Sequence, residues 1–426
     1  MNKQIQAMCD FLDASSSTYH AVDYLKKQLE DAGYVRLAEN QDWQLQAGGK
    51  YFLTRNGTAL MAFRVPQDVP KGFLLTASHS DRPGFKVKEN PELKNAYIRL
   101  AVERYGGMLM STWLDRPLSI AGRVLVETEN GVATKLVNID RDLLIIPNVA
   151  IHMNRSANDG YKWNPANDLI PLFGGKDAAG KFAAMLENAA GGKVLGHDLS
   201  LYVRQKATVW GVEEEFISSA ALDDLACAWC CTQAFLNAGE SENMPLLCVF
   251  DNEEVGSSSL QGADSNLLQI VVERICKALK LDLHRMLAQS FMLSADNAHA
   301  IHPNHPEYAD PNNAPVVNQG VVLKFNANQR YCTDGVSAAI FRSICAKANV
   351  PVQTYCNRAD MAGGSTLGNI SLTHVSVPSA DIGLPQLAMH SCYETAGCKD
   401  VGYMVDALTV FYGTSFTAEN GNYTMK

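Results

Sequence analysis

PLLCVFDNEEVGSSSLQGADSNLLQIVVERICKALKLDLHRMLAQSFMLSAD, residues 245–296, reads as strand, helix and strand in succession. Pro245 to Phe250 is an unbroken apolar run that stops at three acids, Asp251, Glu253 and Glu254. Asn266 to Leu279 has apolar residues at helical spacing, and Ser290 to Ser294 is apolar again before Asp296. Short apolar runs without alternation suit strands buried on both faces. The rhythm continues outward through strand candidates Gly320–Phe325, Val352–Cys356 and His374–Pro378, with a helix predicted over Gly335–Ala348. A last helix is predicted from about Val401 to Tyr412, closed by Gly413. Upstream, Gly72 to His79 reads as one more buried strand. Lys3–Leu12 and Tyr19–Ala32 read as helices separated by the capping run Ser15-Ser16-Ser17. The fold class is therefore α/β, a mainly parallel sheet covered by helices on both faces.

The texture changes between residues 91 and 212. LSIAGRVLVETENGVATKLVNI (118–139) alternates β-branched and polar residues, and Asn154 to Gly180 is rich in Asn, Pro and Gly. A β-rich module inserted in the α/β framework follows, with residues 1–90 and 213–426 as the two parts of the outer domain.

Composition narrows the function. The 426 residues carry 45 Asp and Glu against 36 Lys and Arg, a formal charge of −9. That balance argues against a nucleic-acid binder, which needs a basic stripe. No apolar run approaches the roughly 18 residues of a membrane span, and Met1-Asn2-Lys3-Gln4 does not read as a signal peptide. The expected location is cytoplasmic. Eleven cysteines, an odd number, do not form a secreted framework. Cys227, Cys230 and Cys231 sit in an apolar helical stretch and read as small core residues rather than metal ligands.

The chemistry gathers just past the apolar runs. His79 and Asp81 follow LLTAS, Asp223 opens the cysteine-rich helix, Glu253 and Glu254 follow LLCVF, Asp296 follows FMLSA, and His390 follows DIGLPQLAM. In open α/β sheets, loops at the carboxyl ends of strands converge on one crevice. His79, Asp223, Glu254, Asp296 and His390 are nitrogen and oxygen donors suited to zinc, with manganese or cobalt as alternatives. Two divalent ions bring four positive charges, offset by three carboxylates and one hydroxide, and a shared carboxylate would bridge them. Glu253 is the candidate base for a bridging water, and Asp81 the partner that orients His79. An isolated HxD or EE pair is more often an ordinary surface feature; repetition at successive strand ends gives these weight. His302 and His305 form an HxxH, but Pro303 and Pro306 exclude a regular helix there. Gly363-Gly364-Ser365 lacks the closing glycine of a nucleophile elbow. Donor spacing alone does not exclude a metal-dependent carboxypeptidase or an amidohydrolase of small acyl-amino acids.

TASHSDRPGFKVK (76–88), YGGMLMSTWLDRPLSIAGRV (105–124), IPNVAIHMNR (146–155), EEFISSAALDDLA (214–226), FDNEEVGSSSLQGA (250–263), LSADNAHAIHPN (293–304), KFNANQRY (324–331) and DIGLPQLAMHS (381–391) together resemble the aspartyl-aminopeptidase family of dinuclear metallopeptidases. The matches are co-linear over nearly the whole chain. The resemblance implies an enzyme that removes acidic N-terminal residues from peptides with two metal ions. It implies His79, Asp223, Glu254, Asp296 and His390 as ligands, Asp223 as the bridge, Glu253 as the base and Asp81 as the acid behind His79. It further implies that His152 reaches the active site of a neighbouring subunit, that His299, Lys324 and Tyr331 contact substrate, and that the inserted module dimerises. Dimers would build a tetrahedral dodecamer. Asp224 stands where members of the family often have Asn, and Arg82, the CYE turn at 392–394 and MAGGSTLG depart from the commonest family pattern in ways that look like its bacterial branch.

Overall fold

The computed structural model describes residues 2–426. A nine-stranded sheet forms the centre, in the order Val35–Arg36, Lys50–Arg55, Ala59–Arg64, Met244–Phe250, Phe73–His79, Phe291–Ala295, Ser379–Gly383, Val321–Phe325 and Val352–Cys356. The four middle strands, Met244–Phe250 through Ser379–Gly383, run parallel. Antiparallel pairings occur on both sides of them, so the sheet is mixed.

Alternation along the strands divides the core. Leu247 and Val249 face the helices Lys3–Ala14, Thr18–Asp31, Leu222–Asn237, Gly335–Ala348 and Cys398–Gly413. Leu246, Cys248 and Phe250 face Leu267–Leu279, Leu283–Ala288 and Leu367–Ser371. Apolar burial on both faces explains the unbroken runs of the sequence. Cys227, Cys230 and Cys231 are fully buried in the first of these layers, and all eleven cysteines are free. Local signals set the helix ends: the Ser17 side chain accepts from His20 N, and Asp334 forms a capping box with Ser337. Among the described residues no helix is long and apolar enough to cross a membrane.

One strand lies elsewhere than expected. His374–Pro378 is not a strand; Ser379–Gly383 takes the place in the sheet. Val375 and Val377 pack beneath the sheet instead. The true strand carries a charged residue at its centre, Asp381, which is buried and accepts hydrogen bonds from Thr366 Oγ1 at 2.7 Å and from the Cys332 backbone N–H. Satisfied donors make that burial affordable, and hydropathy does not register them.

A second, six-stranded antiparallel sheet has the order Gly131–Asn138, Leu118–Thr128, Val194–Val203, Gly84–Lys94, Ile98–Tyr105 and Leu172–Gly174. It has its own core, with Phe85, Trp113, Ile120 and Leu199 buried beneath the helix Lys181–Ala190. Its strand Gly84–Lys94 starts before residue 90, directly after the metal-loop candidate His79–Asp81. A five-stranded sheet links the parts: Thr208–Trp210, Phe216–Ser219, Glu394–Gly397, Pro385–Leu387 and Ala298–His299.

Phe291 is fully buried where the central sheet meets the last helix and the C-terminal hairpin, with ring centroids 6.2 Å from Phe411 and 5.8 Å from Phe416. Phe291→Ala is expected to cost about 3–5 kcal/mol, the usual range for emptying a packed aromatic site. A lowered urea midpoint with unchanged slope would record it.

Candidate metal centre

The carboxyl ends of adjacent parallel strands lie about 4.8 Å apart. His79 ends its strand and pairs in register with Phe250, so the loop from Asp251 to Glu254 begins beside it. Asp296 follows the next strand. Asp223 and Asp224 sit at the start of Leu222–Asn237 with non-helical backbone angles, joined by a cis peptide bond. His390 lies on the turn between Pro385–Leu387 and Glu394–Gly397.

These residues converge. Donor atoms of His79, Asp223, Asp224 and Asp296 lie within 4.8 Å of one another, as do those of Asp223, Glu254 and His390, and those of His79, Glu253 and Glu254. Asp223 joins the first two groups: Oδ1 is 3.5 Å from His79 Nε2 and Oδ2 is 3.5 Å from His390 Nε2. His390 Nε2 is also 3.4 Å from Glu254 Oε2.

The far side of each imidazole is held. His390 Nδ1 donates to the Gly107 carbonyl at 2.7 Å, which leaves Nε2 to face the acids. His79 Nδ1 lies 3.2 Å from both the carbonyl oxygen and Oδ1 of Asp81. Asp81 also accepts from Tyr105 Oη at 2.6 Å and from the backbone N–H groups of Glu253 and Glu254 at 3.1 and 3.2 Å. One carboxylate therefore orients a histidine and fixes the glutamate loop.

Electrostatics record a shortage of positive charge. Burial, opposed by His79 and reinforced by Asp296, Asp81 and Asp223, pushes Glu253 up to about 8. Burial and Asp223 push Glu254 well above its usual value, and burial raises Asp296 to about 6 against the pull of Lys324. Burial disfavours a charged His390, yet Asp223 raises it to about 9. Protons stand where cations would relieve the crowding, and binding cations would displace them. Asp223 Oδ1 and Glu254 Oε1 are buried without a hydrogen-bond donor, an expensive state that a ligated ion relieves. The donor set of imidazoles and carboxylates fits zinc.

Other expected residues fall in different places. Tyr331 is buried with its ring 5.1 Å from Lys324 Nζ, and His299 packs at 5.8 Å from the Tyr355 ring. Lys324, expected from the resemblance to contact substrate, is 2 % exposed. Its Nζ donates to the backbone oxygens of Asp296 at 2.7 Å and Asn297 at 3.3 Å, and stands 3.8 Å from Asp296 Oδ2. It braces a ligand candidate from behind. His152 lies in an exposed turn, and among the described residues none hydrogen-bonds its ring. Within one chain it does not join the cluster. His302 and His305 are also outside it, on an exposed loop where His305 stacks on Tyr308.

Three contributors had been passed over. Asp224 is buried in the cluster, and its Oδ2 accepts from His79 N at 3.1 Å. Gly106 touches the centre: a Cβ there would stand 3.2 Å from Glu254 Cβ, and its φ of +70° favours glycine. Glu394 accepts from the backbone N–H groups of two ligand candidates, Asp223 and His390.

A central α/β sheet with imidazoles and carboxylates converging beyond its carboxyl ends is the arrangement of a metal-dependent hydrolase. Comparison with known proteins gives the family. The family profile described as aminopeptidase I zinc metalloprotease (M18) matches residues 11–412. A probable M18 family aminopeptidase 2 of Clostridium novyi is 42% identical over 421 residues, covering 95% of this chain and 97% of the relative. The structure resembles a cryo-electron-microscopy structure of a complex of Ape4 and Nbr1, with TM-score 0.93, 35% identity and coverage of 96% and 85%. It also resembles an S. cerevisiae mApe1 dodecamer, with TM-score 0.85, 29% identity and coverage of 96% and 95%. The chain belongs to the M18 family of aminopeptidases, which are zinc metalloproteases.

Proposed function

We propose that the chain is a two-metal aminopeptidase that removes N-terminal residues, acidic ones foremost, from peptides. The observation that carries this reading is Asp223, whose two oxygens face different imidazoles at equal distance. That is what a bridging carboxylate requires. His79, Asp223 and Asp296 would hold one ion, and Asp223, Glu254 and His390 the other. Bound divalent cations supply Lewis acidity toward the scissile carbonyl and acidify water near neutral pH. Glu253 accepts the proton of the attacking water and delivers it to the leaving amine. Asp81 keeps Glu253 and His79 in register through the contacts described above. Tyr331 and His299 would contact the substrate, with Lys324 neutralising the Asp296 side.

The dodecameric neighbour supports a homo-oligomer, and in our reading dimers build it into a tetrahedral particle that works in the cytoplasm. The exposed Val149, Ile151 and Met153, at 52%, 48% and 83%, flank His152 and suit a surface that a second chain covers. From there His152 would serve the neighbour's site by stabilising the oxyanion.

A panel of dipeptides with acidic, neutral and basic N-termini, free or acetylated, with and without chelator, tests the reading. Free acidic N-termini are expected to be cleaved fastest, acetylation to abolish cleavage, and chelation to stop it. Equal or faster hydrolysis of acetylated substrates would assign the site to small acyl-amino acids instead.

A further inference from the structure

Glu394 opens a strand that pairs with Phe216–Ser219, opposite Ser219 and so close to the chain's entry into Asp223. Its side chain is 2 % exposed. Each oxygen takes one backbone N–H: Oε1 from His390 at 2.7 Å, and Oε2 from Asp223 at 3.0 Å. These are the two residues whose side chains face each other at 3.5 Å across one candidate metal seat. A closed ring results, running from Glu394 through His390 to the seat and back through Asp223.

The ring matters because neither backbone is held by regular structure. His390 has φ +66°, a conformation sparsely used by residues with a Cβ. Asp223, at φ −83° and ψ 108°, lies outside helical geometry. Buried N–H groups need acceptors, and here one carboxylate serves both. The other seat is held differently: His79 leans on Asp81 through its ring and on Asp224 through its backbone N–H. Glu394 also lines a cavity of about 20 Å³ together with Arg82, Asp223 and Cys392. The Arg82 guanidinium donates to the carbonyls of Ser15 and Ser16.

We infer that Glu394 is a positioning residue that sets the spacing of Asp223 and His390, and thereby the affinity of the metal seat they share with Glu254. The inference rests on the two-ion reading. Glu394→Gln keeps the shape but turns an NH2 group toward one of the two N–H donors. Glu394→Ala removes both acceptors. Tyr393→Phe is the control, since its hydroxyl donates to Lys206 O and Thr208 Oγ1, outside the ring.

The metal-free proteins are titrated with cobalt(II) by calorimetry and visible absorbance, with circular dichroism reporting the fold. Wild type and Tyr393→Phe are expected to take up two ions per chain. Glu394→Gln is expected to bind the first ion within about threefold of wild type and the second about 10–100-fold more weakly, the range for losing an outer partner of a metal ligand. Saturating cobalt should restore much of its kcat, which general damage to the fold would not allow. If Glu394→Ala does not fold, Glu394→Gln decides. Unchanged affinity for both ions, or equal weakening of both, overturns the inference. A wild type that takes up one ion overturns the two-ion reading itself.

Discussion

Glu253→Gln is expected to keep both metal ions and an unchanged melting temperature while kcat falls about 10²–10⁴-fold. The size follows from removing a positioned general base. Metal retention follows from geometry: His390 Nε2 contacts Glu254, Asp223 joins the two histidines, and Glu253 is needed for neither contact. The Glu253 backbone N–H bonds to Asp81 Oδ1, and that bond survives the substitution. An amide is close in shape to the carboxylate but cannot take a proton at neutral pH. The loss should appear in kcat, with KM little changed, because the group acts in the transition state rather than in binding. Metal content, melting and steady-state kinetics on one preparation check it. Turnover within tenfold of wild type would remove Glu253 from the role of base.

The converging acids and imidazoles were legible because strand ends are legible. An apolar run stopping abruptly at His79, Asp251 or Asp296 marks both the end of a buried strand and the rim of the crevice. The order of the strands was not, since Met244–Phe250 lies beside Phe73–His79 across about 165 intervening residues and no local signal carries that. Glu394 was visible only as a departure within a turn. Its importance lies in two backbone donors supplied by residues far apart in the chain. Asp381 misled the reading in the same way: a buried acid with good donors looks, in hydropathy, like a loop. Lys324 carried a substrate role only through the resemblance, and no local signal in the sequence tells that its ammonium donates to the backbone oxygens of Asp296 and Asn297. His152 carried a role only through the resemblance, and its exposed turn explains why one chain alone shows no such signal.

Asp223 should be the least replaceable side chain of the site. Losing His390 would remove a donor from one seat; losing Asp223 removes a donor from both. Asp223→Asn replaces one oxygen by an NH2 group that cannot ligate and deletes a negative charge from the point between the two histidines. Breaking a buried arrangement by removing the shared partner costs more than the partner's own contacts, because the groups left behind stay desolvated. Here His79 and His390 would lose their common anion while Glu253, Glu254 and Asp296 remained crowded. Asp223→Asn is therefore expected to bind neither ion tightly at neutral pH and to lose turnover by more than about 10⁴-fold, the scale of losing metal catalysis altogether. Chelated wild type makes the matching control: it should lose activity to the same floor and recover when zinc is returned, whereas the variant should not recover. Metal analysis after dialysis, together with circular dichroism to show a retained fold, separates loss of the ions from loss of the protein. An Asp223→Asn chain that holds two ions and turns over normally would leave no bridge at this position.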